Sequence, residues 1–514
     1  MSETTTSEVL AKLLSAQGRT VRDGQAAAAA HIDSGDQHVA AMCPTGVGKS
    51  ALAVAVSVAR RGGVIAVNSN GLVAQYVAEA PEWAEALDVK IAALVGSAHY
   101  WCPVASPTLA GFTPDAKAYV ARTGSFIGSG VEKAVYSRHS LAALSPVKDE
   151  DDDEKTVSPC THCEFRANKT CPLWQARSEA AAADVVITNA TVLGLSIAGA
   201  TPWARSIRRE VIVLDEADSC REPIASVLGA QITVKDESAL DGPSALAVVR
   251  AWAADDEHKS AGRARRFLAI KRTVEEAGRS IIVSVEEDRV VLTAPVDLTE
   301  VFEDKHVVAM SATLSQRNVD DLGLATTVAA FQGLDVSAST VTVQDDAPAW
   351  AYGAPADWAA HVANELTEAF RAGGRTLGLF QSNVDKDAVV ALLPADVRSA
   401  VLEYSSKTDR TTVVKTYTAN PDKHLLIGLV QGAGRGLNLP GELLRRVIVS
   451  RVPQNAPRGA DKAQWLEDSR ASVTQSVGRA HRAAGDWGHV TIIGGFGNRK
   501  DVAKALADLG WKIS

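Results

Sequence analysis

An α/β fold built from two parallel-sheet units is predicted by three observations. Continuous apolar runs ending in polar residues recur along the chain, at Gly63 to Val67, Val185 to Ile187, Val211 to Leu214 and Val307 to Met310. A strand, a tight glycine loop and a helix follow one another over residues 39–59. The strand pattern then resumes from about Pro355 with no second loop of that kind. Apolar runs without alternation suit strands covered on both faces, as those of parallel sheets are.

At 514 residues the chain has room for about three or four domains with large buried cores. No run approaches the ~18 apolar residues of a membrane span. Met1-Ser2-Glu3-Thr4 opens without a basic, apolar export signal, so a soluble, cytoplasmic protein is expected. Six cysteines are too few for a disulfide scaffold. The net charge of -8 argues against a surface coated in basic residues, although a groove can be locally basic on an acidic protein.

Residues 1–37 hold an amphipathic helix around Val9-Leu10 and Leu13-Leu14, followed by Arg22-Asp23-Gly24-Gln25 and an alanine run. Gln25 has both a donor and an acceptor to offer an adenine edge, and equally suits a polar helix start. Next comes Cys43-Pro44-Thr45-Gly46-Val47-Gly48-Lys49-Ser50. Gly46 and Gly48 let the backbone around Thr45 curl so that its N-H groups face one point, and the following helix adds its dipole. Lys49 would reach the β- and γ-phosphates of a nucleotide, and the Ser50 hydroxyl would sit on magnesium. The usual pattern opens with glycine, whereas here Cys43 holds that place.

Asn68-Ser69-Asn70, at the end of the next apolar run, would face the crevice of an open sheet or simply turn the chain. Cys102, Cys160, Cys163 and Cys171 then fall as one, a pair two residues apart, and a fourth eight further on. Four thiolates so spaced look like one metal centre, and both zinc and an iron-sulfur cluster accept them. Between Cys102 and the pair, Lys148 to Lys155 is an acidic block of the kind that is usually solvated. Val211-Ile212-Val213-Leu214 ends in Asp215-Glu216-Ala217-Asp218. There Asp215 can hold magnesium while Glu216 orients and deprotonates the attacking water.

From Ser219 to Lys305 the pattern changes to an alanine-rich helical stretch and then an alternating hairpin, Ser280 to Leu292. Lys259, Arg263, Arg265, Arg266, Lys271 and Arg272 on that stretch would line a nucleic-acid strand or make an ordinary exposed face. Ser311-Ala312-Thr313 ends another buried strand in hydroxyls, able to switch hydrogen bonds or to cap the next helix. In the second unit, strands are expected at Arg375 to Phe380, His424 to Gly428, Val447 to Ser450 and His489 to Ile493. Gln475, Arg479 and Arg482 recur at helical spacing and share a face, suited to stabilising charge on a γ-phosphate.

The ordered set of Gln25, the 43–50 loop, Asp215 to Asp218, Ser311 to Leu314, Gly432 to Gly441 and Gln475 to Arg482 resembles a superfamily 2 helicase. The four cysteines, opening in Gly96-Ser97-Ala98-His99-Tyr100-Trp101-Cys102, narrow the resemblance to the DinG/XPD family of iron-sulfur DNA helicases. It implies two RecA-like domains with an inserted iron-sulfur cluster domain and an inserted mainly helical Arch domain. The implied boundaries are 1–98, 184–220 and 305–350 for the first RecA-like domain, 99–183 for the cluster domain, 221–304 for the Arch and 351–514 for the second RecA-like domain.

Residue by residue, the resemblance implies Cys102, Cys160, Cys163 and Cys171 as ligands of a 4Fe-4S cluster. It implies Arg22, Gln25, Thr45, Gly46, Gly48, Lys49, Ser50, Asp215 and Glu216 at an ATP and Mg2+ site, with Gln475 and the arginine fingers Arg479 and Arg482 completing it. A monomer acting on single-stranded and forked duplex DNA, moving 5′-to-3′, is the expected activity, with no membrane partner. Asp218 and Asn438 depart from residues common in the family. A translocase that strips proteins without processive unwinding, and a nucleic-acid scaffold with a vestigial ATPase, are the alternatives.

Overall fold

The computed structural model describes residues 4–44, 46–103, 117–118, 120, 125, 163–199, 202–235, 241–258, 260–276, 278–286, 289–344, 346–350, 353–404, 410–420, 425–430, 439, 443–452, 471–481, 487–493, 504, 506–507 and 510–513.

Two helices, α1 (Thr6–Ala16) and α2 (Asp23–Ser34), precede the first sheet. Thr5 caps α1 in a reciprocal box with Glu8, and Leu10 and Leu13 are fully buried. The chain then lays down β1 (His38–Met42), α3 (Lys49–Ala59), β2 (Gly63–Val67), α4 (Asn70–Leu87), β3 (Ile91–Leu94), β4 (Val185–Asn189) and β5 (Val211–Asp215). After an excursion it returns with β9 (His306–Ser311) and β10 (Val328–Ala330). These strands form one parallel sheet ordered β10-β1-β9-β5-β2-β4-β3. All five residues of β2 and of β5 are buried, as their unbroken apolar sequence predicts. The strands β3 and β10 escape sequence reading because they are short edges whose residues are mostly half-buried.

The excursion is a separate three-stranded antiparallel sheet of β6 (Ala230–Val234), β7 (Ile282–Glu286) and β8 (Arg289–Ala294), in the order β6-β8-β7. Helices Gly242–Ala254 and Ala261–Glu276 pack on it around Phe267, Val249 and Leu292. The hairpin is where the alternation places it, and β6 joins it from outside the predicted segment. Four basic residues of the second helix are engaged locally: Lys271 pairs with Glu275, Arg272 with Glu276, Arg265 with Asp256, and Arg266 donates to the carbonyls of Val227 and Gly229. That pairing is the pattern of an ordinary exposed helix.

The second parallel sheet contains β11 (Thr340–Val343), β12 (Thr376–Phe380), β13 (Val401–Tyr404), β14 (Leu425–Leu429), β15 (Arg446–Val449), β16 (His489–Ile492) and β17 (Lys512–Ile513). Their order is β13-β14-β12-β15-β16-β11-β17. Successive residues feed two separate cores: Leu377, Leu426, Val447 and Val449 enter one, while Leu425, Ile427 and Ile448 enter the other. Alternate residues of a strand point to opposite faces, so both faces of this sheet are covered. Because β10 belongs to the first sheet and β11 to the second, the chain crosses between lobes in residues 331–339, ahead of position 350. Among the described residues no helix is long and apolar enough to cross a membrane.

Candidate functional site

The first sheet gathers its polar residues along one edge. Register sets Met42 beside Ser311, Met310 beside Asp215, and Asp215 beside Val67, so the C-terminal ends of β1, β9, β5 and β2 lie in a row. Ligands bind at that edge in open α/β sheets. From β1 the chain enters the glycine loop, where Gly46 (φ 81) and Gly48 (φ 95) take the left-handed conformation that side chains disfavour. Gly48 is also the N-cap of α3, which brings the helix N-terminus to the same spot as the curled backbone.

Two residues upstream brace the loop from behind. Arg22 donates to the Gly46 carbonyl, and Gln25 Nε2 donates to the Gly48 carbonyl at 3.3 Å while its Oε1 accepts from the Arg22 N-H. Gln25 is buried, and a Cβ on Gly48 would collide with its amide. Gly48→Ala is therefore expected to destabilise the protein by about 1–3 kcal/mol through backbone strain, read as a lowered melting temperature. Nucleotide affinity should fall in parallel, and an unchanged melt would show that the loop tolerates a side chain there.

Cys43, the departure from the usual glycine, is fully buried in the first lobe's core. Burial pushes its thiol up to about 11, so it stays neutral beside Lys49. Its side chain fills core space, and its carbonyl accepts from Lys49 Nζ at 3.3 Å.

The Lys49 ammonium also lies 3.8 Å from Glu216 Oε1. Glu216 itself sits in the left-handed region (φ 57, ψ 48), a strained position for a residue with a side chain and one found preferentially at functional sites. Its other oxygen, Oε2, is 3.1 Å from Ser311 Oγ, which is in turn 2.8 Å from Asp218 Oδ1. Thr313 Oγ1 donates to Asp218 Oδ2 at 3.1 Å. The hydroxyls at the end of β9 are thus bound directly to the acidic turn.

From the second lobe, Gln475 closes this network. It lies in a helical stretch, residues 471–477, and its Nε2 is 3.0 Å from Glu216 Oε2, 3.1 Å from Thr313 Oγ1 and 3.5 Å from Asp218 Oδ2. The amide is buried, so these bonds are made away from bulk water. Next to it a cleft of about 190 Å³ is lined from one side by Pro44, Ala312, Phe331 and Gln332 and from the other by Thr474 and Gly478. The helical stretch ends in a short turn, Gly478–Ala480, which contains the backbone of Arg479. Arg482, Thr45 and residues 431–438 lie outside the described residues.

Asp215 is buried, and removal from water, reinforced by the neighbouring Glu216, raises its carboxyl to about 6. A carboxylate so placed is completed by a cation. With the Ser50 hydroxyl in the first turn of α3 it offers the hard oxygen donors that magnesium prefers, so the residues fit that ion.

The tip of β2 is engaged within the protein. Asn68 Nδ2 donates to Ser219 Oγ (2.8 Å), which donates to the Glu216 carbonyl (3.0 Å). Asn70 accepts from Asn189 at 2.8 Å and contacts His99 Nε2 at 2.9 Å. Sequence reasoning missed Ser219 in this relay and also Tyr76, whose hydroxyl donates to Asp215 Oδ2 at 2.7 Å. An aromatic in an alanine-rich helix reads as core, and nothing in its spacing marks the polar end.

Cys102, Cys163 and Cys171 are half-buried and none is in a disulfide, while Cys160 lies outside the described residues. Among the described residues no three His, Cys, Asp or Glu side chains form a group that could hold a metal.

Residues 366–507, within the second lobe, match the family described as Helicase C-terminal domain. No curated protein matches the chain in sequence. A solved XPD helicase is similar at TM-score 0.57 and 15% identity, over 96% of this chain and 99% of that one. Xpd4 of S. tokodaii is similar at TM-score 0.52 and 13% identity, over 96% and 100%. The DUF1998 helicase MrfA, solved with DNA and AMPPNP, is similar at TM-score 0.50 and 11% identity, over 99% of this chain and 54% of that one. The fold is thus that of the XPD helicases, with two RecA-like domains.

Proposed function

We propose that the chain is an ATP-driven motor on nucleic acid, a DinG/XPD-like DNA helicase of superfamily 2 that moves 5′-to-3′ on single-stranded DNA and opens forked duplexes. The observation that carries this reading is the Gln475 amide of one lobe seated among Glu216, Asp218 and Thr313 of the other. A site completed only when both lobes meet converts a change in bound phosphate into a change in their separation. Nucleic acid as partner is supported by the similarity to MrfA, whose solved structure contains DNA.

In this reading Thr45, Gly46, Gly48, Lys49 and Ser50 hold the ATP phosphates, with Arg22 and Gln25 bracing the loop. Ser50 and Asp215 would hold magnesium, which when bound neutralises phosphate charge. Glu216 accepts the proton of the attacking water, and Arg479 and Arg482 would stabilise charge on the γ-phosphate. Hydrolysis should be magnesium-dependent and stimulated by single-stranded DNA more than by RNA. Turnover that stays undetectable with saturating single-stranded DNA and magnesium would overturn the reading in favour of a binding scaffold.

The cluster assignment rests on the spacing of Cys102, Cys160, Cys163 and Cys171 and on the resemblance to the iron-sulfur helicases. Four thiolates on one 4Fe-4S centre would stiffen residues 99–183 into a wedge. Anaerobically purified protein should then be brown, with about four irons per chain by that stoichiometry. Cys163→Ser should abolish strand separation on forked duplexes while sparing much of the ATP turnover, and colourless protein containing zinc would replace the cluster by a zinc site.

A further inference from the structure

Tyr76 is the least expected residue at the site. It lies in α4, one turn and more beyond the Ser69 cap, and its ring is 1% exposed, packed edge-on to Trp83 with centroids 5.8 Å apart. Phenylalanine would fill the same space. The hydroxyl therefore needs a reason, because burying it without partners costs about 1–3 kcal/mol.

Its partners supply one. The hydroxyl donates to Asp215 Oδ2 at 2.7 Å, and the Ser50 side chain lies beside it. Asp215 Oδ1 meanwhile accepts from the Glu216 backbone N-H at 3.1 Å. Both carboxylate oxygens are thus anchored, one of them by the phenol that lies beside Ser50. Asp215 ends β5 and Ser50 lies in the first turn of α3, so they come from different elements. Tyr76, from a third element, meets both.

Resting on the functional reading above, we infer that Tyr76 is a positioning residue for the divalent cation, holding the Ser50 hydroxyl and the Asp215 carboxylate in the relative geometry that magnesium requires. It touches neither nucleotide nor water in this role. It acts through the two oxygens that do the binding, as partners behind metal ligands do elsewhere, where their loss costs roughly 10–100-fold in metal affinity.

The test is a magnesium titration of the full chain, read by binding of a fluorescent AMPPNP analogue, with the metal-free affinity as reference. Tyr76→Phe is expected to raise the half-saturating magnesium concentration by about tenfold. Combined with Ser50→Ala, its effect should shrink, because the shared contact is already lost. Circular dichroism melting verifies that the variant is folded, which retention of the ring favours. A variant with a lowered melt but unchanged magnesium requirement makes the phenol a packing group and overturns the inference, as does an effect fully additive with that of Ser50→Ala. Wild-type protein that binds nucleotide with no magnesium dependence overturns the functional reading and this assignment together, whereas normal dependence in both proteins overturns only the role of Tyr76.

Discussion

Glu216→Gln is expected to lower ATP turnover by about 10²–10⁴-fold, the usual worth of a positioned general base, while leaving nucleotide binding in place. Glutamine keeps the shape of the side chain and can still bond Ser311 and Gln475, whose polar atoms lie 3.1 Å and 3.0 Å from Glu216 Oε2. It cannot accept a proton from water. It also removes the negative charge 3.8 Å from the Lys49 ammonium, so affinity for the anionic triphosphate should hold or rise. Single-turnover hydrolysis with equilibrium nucleotide binding separates the two effects. Turnover retained within a factor of ten would place the base elsewhere.

The second large effect is expected from Gln475→Glu. The native amide donates to Glu216, Thr313 and Asp218, so a carboxylate in its place faces two others across the cleft. Two like charges 4 Å apart at a partly buried site repel by about 4 kcal/mol at an effective dielectric of 20. Relaxation reduces that figure, and the lobes can separate to achieve it. Small-angle scattering should then show a larger radius for Gln475→Glu than for wild type, and nucleic-acid-stimulated hydrolysis should fall more steeply than unstimulated hydrolysis. Gln475→Ala loses the bond without adding charge and should be milder. If both variants scatter and hydrolyse alike, the amide does not join the lobes in solution.

Glu216 and Gln475 differ in how far their roles were legible beforehand. Glu216 follows four apolar residues and one aspartate, so its place at a strand tip is written in local pattern. The helical spacing of Gln475, Arg479 and Arg482 suggests one shared face, but the helical stretch gives way to a short turn at Gly478–Ala480 and to extended backbone at His481, and the structure brings Gln475 to the acidic turn 259 residues away in sequence. Arg22 and Gln25 show the reverse case. Their proximity to the loop was legible, but both are turned onto its backbone carbonyls, because a curled loop leaves C=O groups that need partners. Asn68 and Asn70, open in sequence to the sheet's crevice or to a turn, are committed to Ser219 and to Asn189 and His99.

By itself the sequence determined the fold class, the glycine loop and the buried central strands, since unbroken apolar runs and left-handed glycines are local properties of a chain. Tertiary structure alone decided that β3, β10, β11, β13 and β17 complete the sheets, that the Tyr76 hydroxyl bonds Asp215, and that Gln475 crosses between lobes. Of these, β3, β10, β13 and β17 are edge strands, which carry weak patterns because one side lacks a neighbour. A polar group at the end of a buried aromatic ring, or at the tip of a side chain from another lobe, acquires its partner only when distant segments are packed together, and no periodicity in the chain records that meeting.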